Sequence, residues 1–278
     1  MRFIEILKTI FLGLVEGITE WLPISSTGHM ILFDEFIKLN VSDAFKEMFF
    51  VVIQLGAILA VPTLFWDRLW PFSKNKSEEQ KKATVSLWLK VIVGAVPAAI
   101  LGFLLDDFLD AHLYTPWVVA LALVVYGVAF IVIEYFNNKN KKTPRINDIS
   151  SLTYKDALTI GAFQVLSLVP GTSRSGSTIL GGMMTGVSRT AAAEFSFFMA
   201  IPIMLGASAL KVLKLILEGI TVTAGEIGLL LIGIGVAYLV SVVVIKFLMD
   251  FVKRHSFSAF GVYRIVLGIL VMGYFLVF

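Results

Sequence analysis

The sequence predicts an all-α polytopic membrane protein with an inverted-topology repeat, built from six transmembrane helices and two re-entrant helix–loop–helix segments. Composition, the lengths of the charge-free runs and the placement of the basic connections predict it. Of the 278 residues, 58% are hydrophobic and only 15% are charged, whereas a soluble domain carries roughly 25% charged residues. A mean hydropathy of +0.88 puts most of the chain in lipid. There is no cysteine, which excludes disulfides, a thiol nucleophile and thiolate metal sites. His29, His112 and His255 lie far apart, so a multi-histidine zinc cage is not expected. The net charge of +3 is small and reads as membrane topology, with no nucleic acid as a partner.

Charge-free runs at 48–66, 113–133 and 227–245 each approach the roughly 20 residues that a membrane helix needs. With three shorter runs extended to plausible ends, the predicted spans are 45–66, 85–108, 115–136, 189–216, 225–249 and 257–278. Two apolar regions do not read as simple spans. In 3–38, Glu5, Lys8, Glu16 and Glu20 interrupt the run and Pro-Ile-Ser-Ser-Thr-Gly (23–28) breaks it. In 154–187, Pro-Gly-Thr-Ser-Arg-Ser-Gly (170–176) does the same. Non-helical backbone at membrane depth is tolerated only where protein buries it or a wet cavity adjoins it. The acidic residues also argue against a cleavable signal peptide at the start.

Basic residues cluster in three connections. One holds Arg68, Lys74, Lys76, Lys81 and Lys82; another holds Lys139, Lys141, Lys142, Arg145 and Lys155; the third holds Lys253 and Arg254, with Lys246 just before it. The positive-inside rule places these in the cytoplasm. Both broken segments must then enter and leave on one side, the first from outside and the second from the cytoplasm. Lys38, Lys46, Lys211 and Lys214 fall near the outer face against that rule.

Self-comparison joins the two broken segments. Residues 13–28 align without gaps on 161–176, pairing Glu16 with Gln164, Thr19 with Ser167, Ser25 with Ser173 and Thr27 with Ser175. Gln54 to Pro62 and Glu194 to Pro202 share their spacing. The chain therefore reads as one membrane domain, 1–278, of two repeats, 1–136 and 153–278. Each has three spans, an odd number, so the halves must lie with opposite orientation, as in transporters with midplane sites between discontinuous helices.

The polar loops carry the chemistry. Glu16 and Glu20 are four residues apart and share a helix face; two carboxylates at membrane depth could hold a hard divalent cation, or one could stay protonated beside the other. Ser25, Ser26, Thr27, Gly28 and His29 precede a second helix, whose free N–H groups favour an anion. His29 suits proton transfer or a structural hydrogen bond. In the second loop Ser173, Arg174, Ser175 and Gly176 open another helix, and the planar fork of Arg174 matches a phosphate. Together they describe a phosphate or pyrophosphate cradle with a nucleophile and a proton shuttle at hand. Asp106, Asp107 and Glu134 read as interfacial groups that snorkel or cap. Arg264 reads as reaching the cytoplasmic interface. Gln54 and Glu194 suit structural hydrogen bonding or support of the site.

At these residues the chain resembles the undecaprenyl-pyrophosphate phosphatase family, also called the bacitracin-resistance protein family. The resemblance rests on Glu16-Gly-Ile-Thr-Glu20-Trp-Leu-Pro-Ile-Ser-Ser-Thr-Gly-His29 and on Pro170-Gly-Thr-Ser-Arg-Ser-Gly-Ser-Thr178. These match the family's E-x-x-x-E segment with its Ser-Ser-Thr-Gly-His continuation and its P-G-x-S-R-S-x-x-T segment; Gln54-Leu-Gly, Gly94-Ala-Val-Pro97 and Glu194-Phe-Ser-Phe197 extend the likeness. It implies a bacterial plasma-membrane enzyme, its site opening outward, that hydrolyses undecaprenyl pyrophosphate to the monophosphate and so recycles the peptidoglycan lipid carrier. By position, Glu16 and Glu20 become metal and proton-transfer residues. Ser26 becomes nucleophile or phosphate ligand, His29 acid/base, and Arg174 with Ser173 the phosphate holders. A divalent cation, magnesium or calcium, is implied; membrane lipids are the other expected partners, and a homodimer stays open. The competing reading is a transporter of an anion or of the lipid itself. A type-2 phosphatidic-acid phosphatase is rejected, because no second histidine falls near His29.

Overall fold

The computed structural model describes residues 3–139 and 143–277; Lys141 and Lys142 of the second basic connection and the final Phe278 lie outside them. Helices α1 (Phe3–Thr19) and α2 (Ser26–Phe36) flank the first polar loop. There follow α3 (Asp43–Val52), α4 (Gln54–Leu64), a short α5 (Trp66–Leu69), α6 (Glu78–Leu113) and α7 (Pro116–Lys139). The second half holds α8 (Tyr154–Val165), α9 (Arg174–Met184), α10 (Arg189–Leu217), α11 (Ala224–Arg254) and α12 (Ser258–Val277). Starts are written locally. Ser77 with Gln80, Thr153 with Asp156 and Thr223 with Glu226 form reciprocal capping boxes that satisfy the first free N–H groups of α6, α8 and α11. Pro116 opens α7, where its missing N–H costs nothing.

The protein is an all-α, multi-pass membrane protein. Among the described residues, six segments are long and apolar enough to cross a bilayer: Asp43–Leu64, Glu78–Leu109, Pro116–Lys139, Arg189–Leu217, Ala224–Arg254 and Ser258–Val277. Their outward faces are apolar, with Phe103, Leu239 and Val243 each about two-thirds exposed, which suits lipid as solvent. The first of these segments is interrupted at Ile53, a break between α3 and α4 that the hydropathy pattern does not announce.

Packing pairs the two halves. Helix α1 lies on α11 as α8 lies on α6; α4 lies on α11 as α10 lies on α6; α7 lies on α12. Each of these contacts has a counterpart when the halves are exchanged. The α8–α6 crossing is close because neither partner has a side chain there: a Cβ on Gly161 would meet the Gly94 carbonyl oxygen at 2.1 Å. An aromatic core of Trp21, Phe195, Phe197 and Phe198, all fully buried, fills the space under the two polar loops. Trp21 packs edge-on against Phe197 at 5.1 Å.

Two readings of charged residues need correction. Glu134 does not snorkel: it is fully buried, accepts from Arg189 Nε at 2.8 Å and a second time from Arg189 Nη2, and accepts from the Phe257 N–H at 2.8 Å. An ion pair between α7 and α10 supplies what the apolar surroundings deny to a lone carboxylate. Arg264 does not reach an interface either. It is fully buried in the centre of the molecule, where five backbone carbonyls take its donors. Asp106 keeps its place at a span end and pairs with Lys214 at 2.5 Å.

Candidate active site

The two polar loops meet. Each begins its helix in the same unusual way: Ser25 (φ 74°) and Ser173 (φ 76°) are, among the described residues, the two non-glycine residues in the left-handed region. Each side chain accepts the N–H three residues on, that of Gly28 or Gly176, at 3.1 Å. Left-handed serine is strained, and such strain persists where the surroundings over-determine it. Here the strain turns each chain sharply, so that the residue after each serine enters the space between the halves. That residue is Ser26 in the first loop and Arg174 in the second. Gly171 (φ 88°) supports the second turn, because a Cβ there would lie 2.5 Å from the Val119 carbonyl oxygen.

Ser26 Oγ donates to Glu20 Oε2 at 2.6 Å, and Arg174 Nη2 donates to Glu20 Oε1 at 3.0 Å. This hydrogen-bonded chain crosses from one repeat to the other. All three side chains are buried or nearly so. Arg174 is aimed by its other donor, which reaches the Ser196 carbonyl at 2.7 Å and the Ser196 hydroxyl at 3.2 Å; Thr178 in turn donates to that hydroxyl at 2.7 Å. The Trp21 ring lies 5.8 Å from the guanidinium carbon, a further electrostatic support for a desolvated cation. Arg174 Nε is buried without a hydrogen-bond partner among the described residues, which leaves a charged donor for a ligand.

Glu20 N–H donates to the Glu16 carbonyl at 3.0 Å, so the two carboxylates are one turn apart. Glu16 is fully buried and neither of its oxygens has a hydrogen-bond partner among the described residues. It stands in the wall of a cavity of about 280 Å³ with Thr27, Gln54 and Lys211. A buried carboxylate without a partner calls for a proton or a cation. Among the described residues no group of three or more acidic or histidine side chains gathers to hold a metal. Of the two carboxylates, Glu20 is engaged by Ser26 and Arg174 and Glu16 has no hydrogen-bond partner among the described residues, so a divalent cation here would draw most of its ligands from water or phosphate.

The remaining sequence candidates lie around this chain. Ser25 and Ser173 are occupied as helix caps, and Ser173 also meets the Ser175 hydroxyl at 3.2 Å. Ser175 donates to the Glu20 and Leu22 carbonyls at 3.3 and 3.4 Å, stitching the loops together. Gly28 and Gly176 present the capped N–H groups. His29 is not joined to the Ser26–Glu20–Arg174 chain. Its Nδ1–H donates to the Ser25 carbonyl at 2.7 Å, and its Nε2 shares a hydrogen bond with the Tyr263 hydroxyl at 2.7 Å. Gln54 lines the Glu16 cavity, whereas Glu194 is tied at 2.6 Å to Arg68, which also approaches Asp148 at 3.5 Å. Asp148 lies in a connection outside the spans, and the Ser150 N–H, with Arg68 nearby, holds its carboxyl below the ordinary aspartate value.

Four residues around the site are not singled out as site residues by the sequence, although Thr178 and Ser196 lie in family-like segments. Ser196 and Thr178 aim Arg174, Tyr263 fixes His29, and Arg264 binds the loops to each other through the Pro23, Gly171 and Thr172 carbonyls at 3.0, 2.8 and 2.9 Å. A signal existed for the last: an arginine in an otherwise apolar span is a functional candidate by default.

The model of the family described as bacitracin resistance protein BacA matches residues 9–270. An undecaprenyl-diphosphatase of Enterococcus faecalis is 64% identical over 98% of this chain and 98% of its own. One from Desulfitobacterium hafniense is 56% identical over 99% of this chain and 98% of its own. An undecaprenyl-diphosphatase 1 of Clostridium acetobutylicum is 55% identical over the whole of both chains. With a family model covering nearly the full length and relatives matched end to end, the chain belongs to the bacitracin resistance protein BacA family.

Proposed function

We propose that this protein hydrolyses undecaprenyl diphosphate to undecaprenyl phosphate and inorganic phosphate. In the bacterial plasma membrane that reaction recycles the lipid carrier for peptidoglycan synthesis and confers bacitracin resistance. The observation that carries the chemistry is the Ser26–Glu20–Arg174 chain, a hydroxyl on a carboxylate base that a third group orients. The relatives named above support the substrate.

In this reading Arg174 takes the terminal phosphate through its unpartnered Nε–H, and the first N–H groups of α2 and α9 face the same anion. Phosphoryl transfer needs little beyond positioning and charge stabilisation, and two helix ends with an arginine provide both. Glu20 accepts the proton as the Ser26 oxygen attacks phosphorus and the bond to the bridging oxygen breaks; water then hydrolyses the phosphoserine. In the second course Ser26 and Glu20 hold a water that attacks directly, and Glu20 takes its proton. Glu16 and Glu20 would hold a magnesium or calcium ion, which when bound neutralises diphosphate charge. Helices α2, α8 and α9 are too short to cross a bilayer and α1, with 17 residues, is at the lower limit; we read each pair as re-entrant, with the site open to the outer face. The exchange of contacts between the halves favours one rival, transport of an anion or of the lipid.

The test is phosphate release from undecaprenyl diphosphate by the purified protein in detergent, where no gradient exists. Release that chelator abolishes and magnesium or calcium restores is expected, and Glu16→Gln should need a higher cation concentration. No release under any cation condition would overturn the phosphatase reading and leave transport.

A further inference from the structure

Gln164 is the counterpart of Glu16 in the second repeat, and the chemistry above does not use it. It is fully buried, and both its amide nitrogen and its amide oxygen lack hydrogen-bond partners among the described residues. The Gln164 carbonyl is already taken by Ser167 Oγ at 2.6 Å, so only the side-chain amide is left unmatched. A buried amide with neither donor nor acceptor satisfied is rare and expensive.

It stands in the inner wall of a cavity of about 470 Å³. The lining there is chiefly apolar, from α6 (Ala98, Gly102, Phe103) and α10 (Ile203, Gly206, Leu210). Phe103 is 69% exposed, and Gly206 is also exposed, so part of the lining lies at the surface of the two helices. At its other end it shares Val51, Tyr114 and Lys211 with the cavity that holds Glu16. The cavity that holds Glu16, lined also by Thr27, Glu47, Gln54 and apolar side chains, therefore adjoins a chiefly apolar one that holds the unpartnered Gln164 amide. A lipid whose charged head carries a long apolar chain has this sequence of chemistries. An amide N–H suits a phosphate oxygen and repels it less than a second carboxylate would.

Resting on the phosphatase reading, we propose that Gln164 is a substrate-binding residue that hydrogen-bonds the lipid-linked phosphate of the polyprenyl diphosphate, and that the first isoprene units lie in the cavity between α6 and α10. Gln164 acts on binding, away from the reacting phosphorus that Ser26 and Arg174 address.

Two variants test it, with undecaprenyl diphosphate and the five-carbon dimethylallyl diphosphate as paired substrates and thermal melting in detergent as the check of folding. Gln164→Leu should raise KM about 10-fold for both substrates with kcat retained, the worth of one hydrogen bond to a charged group. A Cβ added at Gly206 meets nothing within 4 Å, so Gly206→Phe should fill the cavity without moving backbone. It should lower the ratio of undecaprenyl to dimethylallyl turnover by about 10-fold or more, since the longer chain loses apolar contact that the shorter one does not make. Wild-type KM in Gln164→Leu, or an unchanged substrate ratio in Gly206→Phe, would overturn the proposal. Failure of the wild-type protein to release phosphate from either substrate would instead overturn the phosphatase reading.

Discussion

Arg264 offers the sharpest test of how the site is held. Its guanidinium donates to Pro23 of the first loop and to Gly171 and Thr172 of the second, all within 3.0 Å. Arg264→Met keeps much of the side chain's apolar volume and removes every one of those donors. The three loop carbonyls lose a charged partner, each worth about 1–3 kcal/mol, and the Ala122 and Leu123 carbonyls lose longer contacts at 3.4 Å. Removing the buried charge returns part of that, because desolvating an isolated cation costs several kcal/mol. A net loss of about 3 kcal/mol follows, which corresponds to a drop in melting temperature of roughly 5–10 °C. The consequence for activity is larger. Ser26 lies three residues after Pro23, and Arg174 two after Thr172, so loosened loops misplace both. Misplacement of about 1 Å costs about 100-fold in rate. The assay is phosphate release by purified protein beside its melting curve in the same detergent. Wild-type stability together with wild-type release would refute the tying role. Lost release with unchanged melting would refute it as well, since the loops would then be held by something else.

Other outcomes follow from the same geometry. Ser25→Gly relieves a left-handed φ and loses little as a cap, so its melting should match or exceed wild type, whereas Ser25→Ala keeps the strain, loses the cap and should melt as if about 1 kcal/mol less stable; equal melting of the two variants would contradict the strain. The pair at Ser173 should behave alike. Ser26→Ala separates the two chemical courses. Loss of release by about 1,000-fold or more is expected if the serine oxygen attacks phosphorus, and trapping of labelled phosphate on the protein should vanish with it. Substantial release by the alanine variant would assign the attack to water.

The spans were legible because hydropathy is a one-dimensional property of each segment: six segments long and apolar enough to cross lie where the charge-free runs fall. The break at Ile53 was not, since nothing in an apolar run marks an interrupted helix. In the site, the family-like motifs brought Glu20, Ser26 and Arg174 into view as residues, but their hydrogen-bonded chain depends on two loops 150 residues apart meeting face to face. His29 illustrates the limit. Its place in a polar loop suggested proton transfer, yet its partner Tyr263 comes from the last helix, and no local pattern could pair them. Glu134 and Arg264 misled for one reason: position near a span end says nothing about which way a side chain points, and both turned inward to partners on other helices.

An arginine of one half and a serine–glutamate pair of the other form the proposed phosphate-hydrolysing site. Phosphate release from undecaprenyl diphosphate by purified Arg174→Ala, with the variant shown to melt as a folded protein, tests it most directly. A fall of at least about 100-fold is predicted, the loss of a charged group that stabilises developing charge on phosphate. Near-wild-type release by the folded variant would contradict it.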